Sequence, residues 1–390
     1  MSLRRRILFS IIAALLFFGG LEGVLRLHDF SFYVNFNADL LGLPLLDLTR
    51  LRRVANPTVT FDRRVFWRFK PNQVLADPEI YRRPVRLNNL GFRGADFTPK
   101  KPAATFRILC LGDSTTFGWS VADDETYPAQ LERLLKEQHP GRNFQVLNLG
   151  GTGYTSLQGR ELFLSSAAAY EPDLVVFAFG PNDRLPALQS DAEHLAAGTW
   201  QISPLQVQLS RLQVYKLLRA GVVYLERRRQ GLSLDPKTFL PRLKRKVNQK
   251  EFAENAAAVE ISAKASGAGF ILIAVDFPSL PMDHVLVNLR EQAEKAGVAL
   301  PPEWTFWDTE RVAGQTAGAL NAPWLNLRDL FAGALEQARA SGKKLPDPDW
   351  QYLMIDNGHP NDRGHRLIAE KLLGLIEAAP ELRRFAGAAP

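Results

Sequence analysis

The chain is poor in the residues that most narrow a protein's chemistry. One cysteine, Cys110, stands among 390 residues, so no intramolecular disulfide can form. It sits inside the apolar run RILCLG and reads as a small buried hydrophobe, not a thiol nucleophile. Histidine is scarce as well. His28, His139, His194 and His284 have no matching acidic or thiol cluster, so no metal site is expected, and no cofactor motif is present. The basic runs, Arg4 to Arg6, Arg227 to Arg229 and Lys244 to Lys250, are short and not interleaved with aromatics. That argues against nucleic acid as a partner. No internal repeat is visible.

What is there suits a globular protein. Hydrophobic residues make up 46% and charged residues 23%, enough apolar surface for a core and too much for wholesale disorder. The formal net charge is +7. We read the excess as solvated helix faces plus a topology signal; attraction to anionic lipid or acidic polymer is the sharper alternative. Cysteine scarcity suits an envelope protein and a cytosolic one equally, so the compartment must come from the N-terminus.

There, Arg4, Arg5 and Arg6 precede ILFSIIAALLFFGGL, fifteen residues without a charge. Arginines before an apolar stretch mark a signal or signal anchor with the charges held inside. As a helix, fifteen residues cover roughly 22 Å, short of a hydrocarbon core of ~30 Å. Extension through GVLRL spans it if Glu22 and Arg26 reach the outer interface. No small-x-small cleavage site follows, so an uncleaved anchor over residues 1–27 is favoured. The expected location is a bacterial cell envelope, with the remainder of the chain on the periplasmic side.

Residues 28–104 form an N-terminal elaboration, with short extended pieces in VFWRFKPNQ and RRPVRLNNLGFRG and a turn-rich linker, TPKKPAAT. It either packs on the main domain or spaces it from the membrane. From Phe106 strands and helices alternate. FRILCLG, FQVLNLG, DLVVFAFG, FILIAVDFP and APWLNLRDL read as strands. TYPAQLERLLKEQ, residues 157–170, KEFAENAAAVEISAKAS and GHRLIAEKLLGLIEAA read as helices. Alternating β and α predicts a parallel, doubly wound α/β sheet over residues 105–380. Two long stretches, at about 184–250 and 279–323, read as loop-rich insertions that could wall or cover a site; the first contains the helical SRLQVYKLLRAGVVYLERRR.

Ligands of open parallel sheets bind beyond the carboxyl ends of the strands. Four polar features fall there: Gly112-Asp113-Ser114 after the first strand, Gly150-Gly151-Thr152-Gly153 after the second, Gly180-Pro181-Asn182-Asp183 after the third, and Asp356-Asn357-Gly358-His359 before the last helix. These are the parts of acyl transfer. A serine hydroxyl needs a base, and histidine titrates near working pH. The base needs a carboxylate to fix its tautomer, and Asp356 lies one turn before His359. An oxyanion needs donors, which the Ser114 amide, the Gly153 amide and the Asn182 carboxamide can supply. Asp113 and Asp183 are expected to orient turn amides, and His365 to lie at the surface or cap the last helix; Trp119, Tyr127 and Tyr154, which flank the first two blocks, are expected to pack in the core, with lining of the pocket as the alternative.

Each signal is common alone; their order is not. LGDSTTFG, NLGGTGYTSLQ, GPNDR and DNGHPNDRGHRLIA together resemble the four blocks of the SGNH hydrolases, also called GDSL lipases or esterases. The resemblance implies a three-layer α/β/α, flavodoxin-like fold with a five-stranded parallel sheet. It also implies a triad of Ser114, Asp356 and His359, and an oxyanion hole of Ser114, Gly153 and Asn182, with Gly150 the second choice in its block. FKPN followed by LNNLGFRG looks like the upstream pattern of membrane-anchored bacterial members. The interval of about 170 residues between the third and last blocks is longer than in compact members.

The leading reading is hydrolysis of an ester, on an acylated small molecule or an envelope polysaccharide or lipid, through an acyl-serine. An O-acyltransferase that passes the acyl group to a sugar hydroxyl would use the same parts, and would need a multi-span membrane protein as acyl donor. A non-catalytic binding protein is the third reading, but it has no chemical need for all four residues.

Overall fold

The structure is a computed structural model that describes residues 2–27, 58–76, 82–198, 205, 209, 212–231, 235–279, 284–381 and 383. Residues 28–57 of the expected elaboration lie outside the described residues. At the centre is a five-stranded parallel sheet of β1 (Thr105–Gly112), β2 (Asn143–Gly150), β3 (Leu174–Phe179), β4 (Gly269–Ala274) and β5 (Trp324–Asn326). Its spatial order is β2-β1-β3-β4-β5, the doubly wound arrangement in which the chain reverses direction beside β1.

Every residue of β1, β3 and β4 is buried. The two-residue period of a strand sends alternate side chains to opposite faces, and each face is covered by helices. On one side Leu109, Leu111, Val175, Phe177 and Leu272 meet α4 (Ser156–Ser165), α6 (Gln249–Ala265) and α7 (Thr309–Leu320). On the other Phe106, Ile108, Cys110, Val176 and Ile273 meet α3 (Tyr127–Gln138), α8 (Leu327–Ala340) and α9 (Asp362–Glu377). The expected three-layer α/β/α fold is the one found, and Cys110 is a buried core residue.

Several boundaries differ from the sequence reading. The helix expected over 157–170 stops at Ser165, and a 3₁₀ turn completes the segment. In APWLNLRDL only Trp324–Asn326 is strand. The Asn326 side chain accepts from the Arg328 amide and so caps α8, which claims the rest. The stretch 279–323, read as loop, holds a helix at His284–Ala296 and the core helix α7. Together with residues 239–243, the former builds a small core of its own around Phe239, Leu240, Leu286, Leu289 and Trp304.

The described part of the elaboration packs on the main domain. Val59–Asp62 and Phe66–Phe69 pair as a hairpin, and Val74–Leu75 pairs with Val85–Arg86. Phe69, Leu75, Val85 and Leu87 close over Phe117, and Arg93 bridges to Asn148 on the edge strand β2. The N-terminal helix α1 (Leu3–Leu27) is long and apolar enough to cross a membrane, and none of its residues is buried.

Candidate active site

The residues singled out in the sequence gather where the strands end. Gly112 of β1 lies in register with Gly150 of β2 and Ala178 of β3. The chain then turns at Asp113, in extended conformation, into the single helical turn α2 (Ser114–Phe117). The Asp113 carboxylate accepts from the Thr115 amide at 2.8 Å, so the turn is capped from the residue before Ser114. The turn must pack tightly against β2, and Gly150 makes the room: a Cβ there would lie 2.3 Å from the Phe117 nitrogen.

Ser114 Oγ lies 2.9 Å from His359 Nε2. On the far side of the ring, Nδ1 lies 2.9 Å from both Asp356 oxygens. Asp356 also accepts the Gly358 and His359 amides at 2.8 and 2.9 Å, so one carboxylate folds the loop and aims the imidazole. Burial works against the charge on Asp356. The hydrogen bond and charge of His359 and the two amides outweigh it, and the carboxyl is held below its ordinary range. Trp119 is tilted against the His359 ring, with centroids 5.9 Å apart.

The structure also separates the glycines of the second block. The Gly150 amide donates to the Asn148 side chain at 3.0 Å and the Gly151 amide to the Gly112 carbonyl at 3.0 Å. Gly153 stands at φ +84°, with open space where a side chain would be. Asn182 Nδ2 donates to the Tyr154 carbonyl at 3.0 Å, and its contact with Asp113 Oδ2 is 3.5 Å. The second contact is at the limit of a hydrogen bond, so that hydrogen is the one a ligand can take.

The buried acids beneath the rim hold turns, as expected. Burial pushes Asp113 up to about 6, against the Thr115 amide and the His359 charge that favour its carboxylate. Asp183 accepts from the Ser156 amide at 3.0 Å and its hydroxyl at 2.5 Å, and burial pushes it up to about 7. His365 is a correction: it is buried, not at the surface. Its Nδ1 accepts from the Tyr127 amide at 3.1 Å, and burial, with the Arg93 charge, drives it down to about 3. Tyr127 and Tyr154 are likewise core residues, while Trp119 stays partly open.

One residue went unnoticed in the sequence. Arg93, 2% exposed, reaches from the elaboration to the backbone just after Ser114. It donates to the carbonyls of Phe117 (2.9 Å), Gly118 (2.5 Å) and Val121 (2.7 Å) and to Asp123 (2.8 Å). Its guanidinium also lies over the Phe117 ring. The only sequence signal was an arginine inside LNNLGFRG; its partners are backbone carbonyls, which no side-chain pattern reveals.

A hydroxyl, an imidazole and a carboxylate in one hydrogen-bonded line, at the carboxyl edge of a doubly wound sheet, define a class of α/β proteins equipped for acyl chemistry. The profile of the GDSL-like lipase/acylhydrolase family matches residues 110–367. The chain belongs to that family. An acetylxylan esterase from Xylanibacter ruminicola is 36% identical over 95 residues, 23% of this chain and 18% of the relative. The chain thus matches less than a fifth of that relative's length. Among solved structures, an acetylxylan esterase from Geobacillus stearothermophilus is similar at 18% identity, covering 73% of this chain and 95% of its own, with a TM-score of 0.38. A lipase/acylhydrolase from Enterococcus faecalis shows 18% identity, 70% and 96% coverage and a TM-score of 0.39.

Proposed function

We propose that this chain is a serine esterase that removes an acyl group, acetyl foremost, from a carbohydrate of the cell envelope through an acyl-serine intermediate. The observation that carries the reading is the unbroken line from Ser114 through His359 to Asp356. With Asp356 accepting a hydrogen bond from Nδ1–H, the His359 Nε2 lone pair faces the serine. His359 takes the Ser114 proton as Oγ attacks the ester carbonyl carbon. The amides of Ser114 and Gly153 and the Asn182 carboxamide receive the developing oxyanion. As the tetrahedral species collapses, the C–O bond to the alcohol breaks and His359 returns its proton to the departing oxygen. Water then attacks the acyl-serine with His359 again as base, releasing the carboxylic acid and restoring Ser114.

Two observations support the substrate class. The curated relative is an acetylxylan esterase by name, and the partly open Trp119 beside His359 offers a flat apolar surface to a sugar ring. The envelope location rests on α1, whose arginine-rich start and fully unburied apolar length suit a single-pass anchor. On this reading residues 1–27 are anchor, 28–104 elaboration and 105–380 the hydrolase domain.

A fluorophosphonate probe tests the chemistry. The purified protein is expected to be labelled at Ser114, and the Ser114→Ala variant to be silent in labelling and in ester turnover. A folded wild-type protein that is not labelled at neutral pH sinks the reading. Products made with an activated acetyl ester and an oligosaccharide acceptor then distinguish hydrolysis from transfer: free acetate in excess of acetylated acceptor is expected.

A further inference from the structure

The long insertion after the third block has a face that stands exposed among the described residues. Among the described residues, large hydrophobic side chains exposed outside α1 number twelve, and six of them fall between Leu205 and Leu225. Four belong to one helix, α5 (Gln213–Arg229): Leu217, Leu218, Val222 and Leu225. Residues 218, 222 and 225 are spaced by four and three, so they share one helix face. Leu218 is 55% exposed, Val222 45% and Leu225 55%. A water-facing helix gains nothing from such a face.

The position of α5 says what covers it. Its first turn is joined to the far end of the N-terminal helix. Glu22 accepts from the Val214 amide at 2.9 Å and is itself paired with Arg26 at 2.6 Å. A carboxylate at this point satisfies an orphan amide of α5 and opposes its dipole favourably. Glu22 and Arg26 are the residues that end the apolar stretch of α1, so the junction sits where that helix would leave the hydrocarbon. Helix α5 thus begins at membrane-surface height. Its composition matches that depth: the sequence of the helix holds two tyrosines, a residue type enriched at membrane interfaces, and five basic residues, Lys216, Arg219, Arg227, Arg228 and Arg229, against a single Glu226.

We propose that α5 is a second membrane contact, lying in the outer interface of the bilayer that α1 crosses, with its Leu218–Val222–Leu225 face among the acyl chains and its arginines at anionic headgroups. The insertion is then a foot and not a lid. The inference rests on α1 being a membrane helix, and the test reads that separately.

The full chain carries either Val222→Cys or Phe17→Cys, each labelled with an environment-sensitive fluorophore. Cys110 is fully buried and does not compete. The protein is reconstituted in vesicles of phosphatidylethanolamine and phosphatidylglycerol, and retained ester turnover confirms its fold. Nitroxide lipids labelled near the headgroup are expected to remove about half of the emission at position 222. Mid-chain nitroxides should remove less there, and more at position 17. Quenching at 17 without quenching at 222 overturns the proposal and leaves the anchor intact. Blue-shifted emission at 222 that no nitroxide lipid quenches means that protein, such as a second copy, covers the face, and also overturns it. No quenching at 17 removes the anchor and the proposal together. Quenching at 222 that is unchanged when phosphatidylcholine replaces phosphatidylglycerol overturns the role given to the arginines.

Discussion

Ser114 is held by its neighbours more than by itself. The residue before it caps its turn, Arg93 ties down the carbonyls of Phe117, Gly118 and Val121 beyond it, and Gly150 clears the floor beneath it. Arg93 is therefore a positioning residue. A lysine keeps the charge but lacks the planar fork that spans several acceptors. We expect Arg93→Lys to lower kcat about 10–100-fold while KM for a small ester stays nearly constant. If kcat is unchanged and only the melting temperature falls, Arg93 is purely structural. Asn182→Ala is expected to lower kcat about 10²–10³-fold with fluorophosphonate labelling slowed in parallel, the cost of losing one oxyanion donor. A loss confined to KM would mean that Asn182 binds substrate instead. At this scale the sequence was legible where chemistry demands a residue type, as at Ser114, His359 and Asp356. It was silent where a side chain serves the backbone. Arg93 grips carbonyls, and His365 reads like any surface histidine until Tyr127, 238 positions away in sequence, is folded against it.

Elements were legible in proportion to their burial. The five strands announced themselves as apolar runs because helices cover both faces of the sheet. The helix α7 hid because TERVAGQTAGAL carries glycines at 314 and 318 and few large apolar residues; small side chains let it pack close on the sheet but weaken its periodic signal. The junction between the second and third blocks depends on a buried acid. Asp183 joins the loop after β3 to the start of α4 through Ser156, and among the described residues its other oxygen has no hydrogen-bond partner. Its pKa is about 7 in the folded protein against 3.8 ordinarily. Between those values the folded state holds a proton that the unfolded chain has released, so stability falls as pH rises through that window. Asp183→Asn keeps the acceptor and removes the titration. Relative to wild type, its melting temperature is expected to rise by a few degrees between about pH 5 and about pH 8. A difference that does not change with pH contradicts the assignment.

At the scale of the whole molecule the chain divides into an apolar rod and a core that does not bury it. The helix carries twelve large exposed hydrophobics, an apolar surface that fits the proposed anchor. Full-length protein is expected to remain in the membrane pellet after an alkaline carbonate wash and to be released by detergent; release by carbonate alone contradicts an integral anchor. The two insertions pack on one another through Trp304 and Phe239, a partnership between distant segments that no local pattern foretold.

The linear order of the parts also sets when the site comes into being. The chain is made from its N-terminus, so the clamp at 93 and the hydroxyl at 114 exist long before the proposed base at 359 does. On the proposed mechanism the clamp is in place first, and the imidazole that activates the serine follows 245 residues after it. A nascent or C-terminally clipped chain can therefore carry a complete sheet, a capped nucleophile turn and a bound Arg93 and still be chemically idle. On that mechanism the serine becomes reactive only once the segment around His359 has joined the sheet.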